Sequence, residues 1–182
     1  MLALAPQALA HEFDGSTASA QTAHSASMEF IIGAGAVKCR NTEVEYTPSV
    51  GLFPKLTITI IKLEKCKLNG GEVGAGPNGC QFELSSSGLI EPNPGFFQDG
   101  SLGFKCSSAL GLETTHCGIT IGSQTPLSLY EWENLPAASP SEGELTFRLS
   151  GIRYTVTGTG CGTSGSNGEY RGAIVLPHVI IR

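Results

Sequence analysis

The stretch Leu145-Thr-Phe-Arg-Leu-Ser-Gly-Ile-Arg-Tyr-Thr-Val156 decides the fold class. Leu145, Phe147 and Leu149 share one parity, Ile152, Tyr154 and Val156 the other, and the alternation slips once, at Ser150-Gly151. A period of two marks a strand with one buried face. A glycine at the slip is how a β-bulge bends a long strand, so the stretch predicts a sheet that curls.

The same alternation recurs outward from there: Leu56, Ile58 and Ile60; Cys80, Phe82 and Leu84; Leu102, Phe104 and Cys106; Cys117, Ile119 and Ile121. Segments 69–79, 91–95 and 135–143 between them are rich in Gly, Pro, Asn and Ser, as turns require. No amphipathic helical window of useful length interrupts the pattern. About nine or ten short strands follow, and they predict an all-β fold, an antiparallel β-sandwich or partly closed barrel.

With 182 residues, 40% of them hydrophobic, and a net charge of -5, the chain suits one domain with its own core, placed at 28–182. Residues 1–10 are uncharged and end in Ala8-Leu9-Ala10, a small-x-small cleavage pattern, and are read as a truncated signal peptide. The polar stretch 11–27 reads as a flexible arm. No run approaches the length of a spanning helix, so the expectation is a secreted protein with no membrane span. Eleven Lys and Arg, scattered through the chain, argue against a nucleic-acid partner. Lys62, Lys65 and Lys67, interrupted by Glu64, read as a solvated strand end.

Six cysteines in an exported chain point to disulfides. No Cys-x-x-Cys or His spacing suits a metal, and no cofactor is expected. Pairing Gln81–Ser85 antiparallel with Ser101–Lys105 sets Phe82 opposite Phe104, Leu84 opposite Leu102 and Cys80 opposite Cys106. A bond between those two cysteines closes a loop of about 27 residues, worth about 3 to 4 kcal/mol on a chain-entropy account. The simplest completion joins Cys39 to Cys66 and Cys117 to Cys161, with crossed pairings left open.

Residues 11–13 (HEF), 35–39 (GAVKC), 56–66 (LTITIIKLEKC), 78–84 (NGCQFEL), 116–127 (HCGITIGSQTPL), 149–161 (LSGIRYTVTGTGC) and 167–176 (NGEYRGAIVL) carry a resemblance. Together they resemble a family of uncharacterised, secreted, six-cysteine all-β proteins of soil actinobacteria. That resemblance implies a compartment and a fold, and transfers no catalytic residue. The tail Pro177–Arg182 departs from the glycine-ended finish expected of the family.

Chemistry is sparse. Gly158–Gly162 has the wrong spacing for a dinucleotide fingerprint and leads into another strand, and no Gly-x-Ser-x-Gly elbow occurs. Glu131 and Glu133 share one face of a strand, too close in sequence to define a glycosidase cleft. Tyr130 and Trp132 share the other face and are candidates for a sugar-stacking platform, with plain core as the alternative. Phe96 and Phe97, near a predicted hairpin tip, are a second candidate contact. The expected function is a non-enzymatic binding or structural domain of unknown partner, polysaccharide or a second copy. A self-assembling surface subunit and an extracellular carbohydrate-active hydrolase are the alternatives.

Overall fold

A computed structural model describes residues 11–33, 35–86, 90–93, 96–135 and 142–182, with the side chains of 90–93, 96–100, 126, 128 and 129 left aside. The signal-peptide expectation for 1–10 lies outside the described residues. In chain order come β1 (Phe13–Gly15), β2 (Gln21–Ser25), β3 (Met28–Ile32), β4 (Gly35–Tyr46), β5 (Gly51–Phe53) and β6 (Lys55–Leu68). Then follow β7 (Gly71–Gly76), β8 (Gln81–Ser85), β9 (Ile90–Asn93), β10 (Phe96–Lys105) and β11 (Leu110–Glu113). The last five are β12 (Cys117–Ile121), β13 (Gln124–Asn134), β14 (Glu142–Gly158), β15 (Gly165–Pro177) and β16 (Val179–Ile181). Among the described residues there is no helix.

The sheet is a closed antiparallel barrel of eight strands, and the extra segment names come from strands that break and restart. β6 pairs with β7 through its C-terminal end and with β8 through its N-terminal half, so β7 and β8 are one bent strand. β10 with β11 and β12 with β13 are bent strands too, each continuing against the next neighbour. β14 receives both β12 and β13. β15 pairs β14 on one side and β3 on the other, and β3–β4 and β4–β6 complete the ring. Closure leaves the wall no free edge, the problem any open sheet must manage.

β14 shows how the sequence bends the wall. Leu145, Phe147 and Leu149 are buried, and so are Ile152 and Tyr154, although their parities differ. The register against β15 shifts between Leu149 and Ile152, and Gly151 sits there at φ 73°. The bulge therefore keeps both halves facing inward while the strand turns. Where β12 ends and β13 begins, the buried Gln124 bridges the gap: its Nε2 donates to Arg153 O (3.0 Å) and its Oε1 accepts from Arg153 N (2.9 Å).

The lumen is filled, not open. Phe82 packs against Phe147 (ring centroids 4.6 Å), Phe104 (5.2 Å) and Tyr170 (5.4 Å), and each such buried aromatic contributes on the order of 2 to 3 kcal/mol. Outward wall positions carry Lys, Glu and Arg while inward ones are apolar, the inverse of a lipid-facing barrel. No helix among the described residues is long and apolar enough to cross a membrane.

Leu84 opposes Leu102 and Phe82 opposes Phe104 in register, and the disulfides join Cys80 to Cys106, Cys39 to Cys66 and Cys117 to Cys161. The connection between β8 and β10 is more than a turn, since β9 within it pairs with β10. The stretch 11–27, expected as a flexible arm, instead supplies β1 and β2. Phe13 is the reason: it is fully buried and pairs in register with Ile181 and Phe53. β1, β5 and β16 form a small sheet of their own, which gives the tail Pro177–Arg182 its place.

Candidate functional site

β13 points its even-numbered residues inward at Tyr130 and Trp132, so the proposed stacking platform is core instead. Both rings have no exposed surface. Tyr130 donates to Ser85 O (2.9 Å), and burial pushes its hydroxyl pKa upward. Trp132 lies over Gly143, where a side chain would strike the indole, and edge-on to Phe13 at 5.4 Å. Its Nε1 donates to Asn134 Oδ1 (3.0 Å), and Asn134 in turn holds Ile181 by both backbone groups. Every described aromatic side chain is buried. Phe96 and Phe97 stand opposite Glu133 and Trp132 in register, and their side chains lie outside the described residues.

The odd positions beside Tyr130 and Trp132, Glu131 and Glu133, face out. Glu131 meets Arg148 at 3.7 Å, and Glu133 stands directly opposite Glu144. These carboxylates sit on the convex outer wall. Among the described residues no three His, Cys, Asp or Glu side chains converge as a metal would need.

What the wall brings together is cationic. One outward-facing row crosses six strands by direct register: Arg148 on β14, Arg171 on β15, Glu29 on β3, Lys38 on β4, Lys67 on β6 and Glu72 on β7. Two neighbouring pairs in it are of like charge, Arg148 with Arg171 and Lys38 with Lys67. Like charges directly opposite on a sheet are destabilising. A shallow concavity of about 830 Å³ lies over Lys38 and Lys67, lined also by Arg40 and Lys65. A second, of about 620 Å³, lies over Arg148 and Arg171. Both exist because the flanking outward positions are small, Ser27 and Ala36 at the first and Thr146, Ser150 and Ala173 at the second.

The local charges are partly matched. Lys38 Nζ lies 3.1 Å from Glu29, and Arg171 pairs with Glu169. Lys62 and Asn41 both hold Glu64, and the Lys62 hydrogen bond in particular depresses the Glu64 carboxyl below its ordinary range. Arg40 and Lys67 form no ion pair among the described residues. A four-cation face on a chain of net charge -5 is a concentration of the rarer sign.

Two of the three lysines read as a solvated strand end, Lys65 and Lys67, are therefore one side of this face, and the fold gathers six of the eleven Lys and Arg at the two concavities. A signal existed: pairing Cys39 with Cys66 in antiparallel strands sets Lys38 opposite Lys67. The Arg148 and Arg171 pair had no such marker, because nothing local aligns β14 with β15.

Fold and site together define a disulfide-stapled, eight-stranded antiparallel barrel with a filled lumen and a cationic face on its outer wall. Comparison with known protein families, with curated proteins and with solved structures finds no match.

Proposed function

We propose that this chain is an exported, non-enzymatic binding domain that takes an anionic ligand on the wall around Lys38, Arg40, Lys65 and Lys67. One observation carries this: Lys38 and Lys67 oppose each other in register above an open concavity that Arg40 and Lys65 also line, and Glu29 and Glu72 neutralise the four cations only in part, so a bound anion would relieve their repulsion. Arg40 adds a planar fork suited to a carboxylate, sulfate or phosphate oxygen pair. Three disulfides and the absence of a spanning helix among the described residues are consistent with an extracellular protein, and Ala8-Leu9-Ala10 supports export. The resemblance to secreted six-cysteine β proteins points the same way.

Titration calorimetry of the oxidised protein with polygalacturonate at low salt tests the proposal. Binding that weakens steeply with added salt, is absent for uncharged dextran, and falls about tenfold or more in Lys38→Gln/Lys67→Gln is the expected outcome; tenfold corresponds to about 1.4 kcal/mol. Equal heats for the wild type and that variant would defeat it.

A second occupant is favoured by a separate observation. Glu131, Glu133 and Glu144 form an acidic strip across β13 and β14, complementary in sign to the cationic face. A second copy docking acidic strip to cationic face would elute early in size-exclusion chromatography at low salt and as a monomer at high salt. Monomeric elution at both salts removes this second reading.

A further inference from the structure

The charged row holds two cationic pairs, and their separation says what kind of anion can use both. From the middle of the Arg148 and Arg171 pair to the middle of the Lys38 and Lys67 pair is three strand steps, roughly 14 Å along the wall at the usual interstrand spacing. On a closed barrel the outward side chains diverge, so their charged heads stand further apart than their Cα atoms. Glu29 lies between the pairs and already engages Lys38. A compact anion such as free phosphate or a single sugar acid reaches one pair only. A ligand using both is long, thin and charged at intervals.

Building on the anion-binding face above, we propose that its ligand is a linear acidic polysaccharide that runs across the strands, around the girth of the barrel, and occupies two cationic subsites in succession. The first subsite is Lys38 with Lys67, supported by Arg40. The second is Arg148 with Arg171. The row carries the carboxylates Glu29 and Glu72, and Glu169 lies beside it two residues along β15; all three can accept hydrogen bonds from sugar hydroxyls, whereas a chain of phosphodiesters has few donors to offer them. The small residues Ser27, Ala36, Thr146 and Ala173 leave room on both sides of the row for a sugar ring to lie near the sheet. Nucleic acid is the less suited polyanion, because single-stranded binding draws on exposed aromatic platforms and every described aromatic side chain is buried. The carboxylates would also repel closely spaced phosphates.

Two linked subsites bind a bridging chain by effective concentration, so affinity depends on length. One strand step is close to the length of one sugar in an extended chain, and spanning both pairs takes roughly four or more units.

The test uses the full oxidised protein and size-fractionated galacturonate oligomers. Dimers are expected to bind weakly, at one subsite at a time, and oligomers of about six units to bind on the order of 10- to 100-fold more tightly. Arg148→Gln/Arg171→Gln is expected to abolish the gain with length, and the dimer binding that remains is that of the lysine subsite. Lys38→Gln/Lys67→Gln is expected to weaken both. Circular dichroism and thermal melting of each variant check that the barrel is intact, which exposed wall positions should preserve.

If dimers and hexamers bind equally, or the arginine variant keeps the length dependence, the two-subsite proposal falls while the anion-binding face survives. If no oligomer of any length binds, both fall. A length-matched single-stranded oligonucleotide that binds as tightly as the hexamer would overturn the choice of polysaccharide.

Discussion

On one side of the barrel β4, β6, β14 and β15 run for 12, 14, 17 and 13 residues without a break. On the other, the strands made of β7 with β8, β10 with β11 and β12 with β13 all stop and restart next to one another. Asn78 and Gly79 take positive φ at the first break, Ser107 and Ser108 amides donate across to Gly79 and Asn78, and Cys106 N donates to Ser123 Oγ at the third. The cations of the charged row all lie on those four long strands, with β3, which restarts after β2, between them. Their paired positions sit in stretches of ladder without a register shift, ahead of the slips between Leu149 and Ile152 and between Lys38 and Arg40. The jointed side does the turning that lets the sheet close, and it loses ladder hydrogen bonds in exchange.

The Cys80–Cys106 bond ties two of the joints, whereas Cys39–Cys66 spans neighbouring unbroken strands. The two bonds have almost the same sequence separation, 27 for Cys39–Cys66 and 26 for Cys80–Cys106, so chain entropy alone predicts equal losses of about 3 to 4 kcal/mol. We expect Cys80→Ala/Cys106→Ala to lose more than Cys39→Ala/Cys66→Ala in urea unfolding, because the joint has fewer other ties. Equal losses would mean that the staple acts only on the unfolded chain.

Gly143→Ala comes next. Its new Cβ would lie 2.2 Å from the Trp132 ring, so the indole must move, at about 1 to 3 kcal/mol. A changed Trp132 fluorescence maximum should accompany the loss, and an unshifted spectrum with wild-type stability would show the packing to be looser than described.

At the bulge, Gly151→Val puts a branched side chain at φ 73° in open space, so only the backbone objects. A loss of about 1 to 2 kcal/mol with unchanged urea slope is expected.

Lys67→Glu sets two effects against each other: an opposite pair forms with Lys38 while a like pair forms with Glu72, so stability should change by less than about 1 kcal/mol while polyanion binding is lost. A variant that is both less stable and still binding would show that the row is structural.

The smallest effect is at Glu64. Its carboxyl is depressed by Lys62 and then Asn41, so its contribution is present above the unfolded carboxylate value and fades as pH falls through the lower folded one. A carbon-detected NMR titration of Glu64 should show the depressed midpoint, and Lys62→Ala should move it back up.

Much of the wall was legible from residue order. The slip at Ser150-Gly151, the facing of Phe82 with Phe104 and of Leu84 with Leu102, and the strand alternation are local, since parity needs only neighbours two residues apart. Phe13 was not legible as a strand anchor, because one aromatic among small polar residues has no period. Tyr130 and Trp132 had a face in the sequence, but whether that face met lumen or solvent depended on how the sheet closed.

By itself the sequence determined strands, bends and a cysteine set suited to disulfides, all properties of short-range pattern. Closure into a barrel, the burial of Trp132 over Gly143, and the meeting of Lys38 with Lys67 and Arg148 with Arg171 were decided by tertiary structure. The physical reason is register. Residues 29 or 23 positions apart become neighbours only when two ladders are aligned to the residue, and that alignment is set by the packing of the whole lumen.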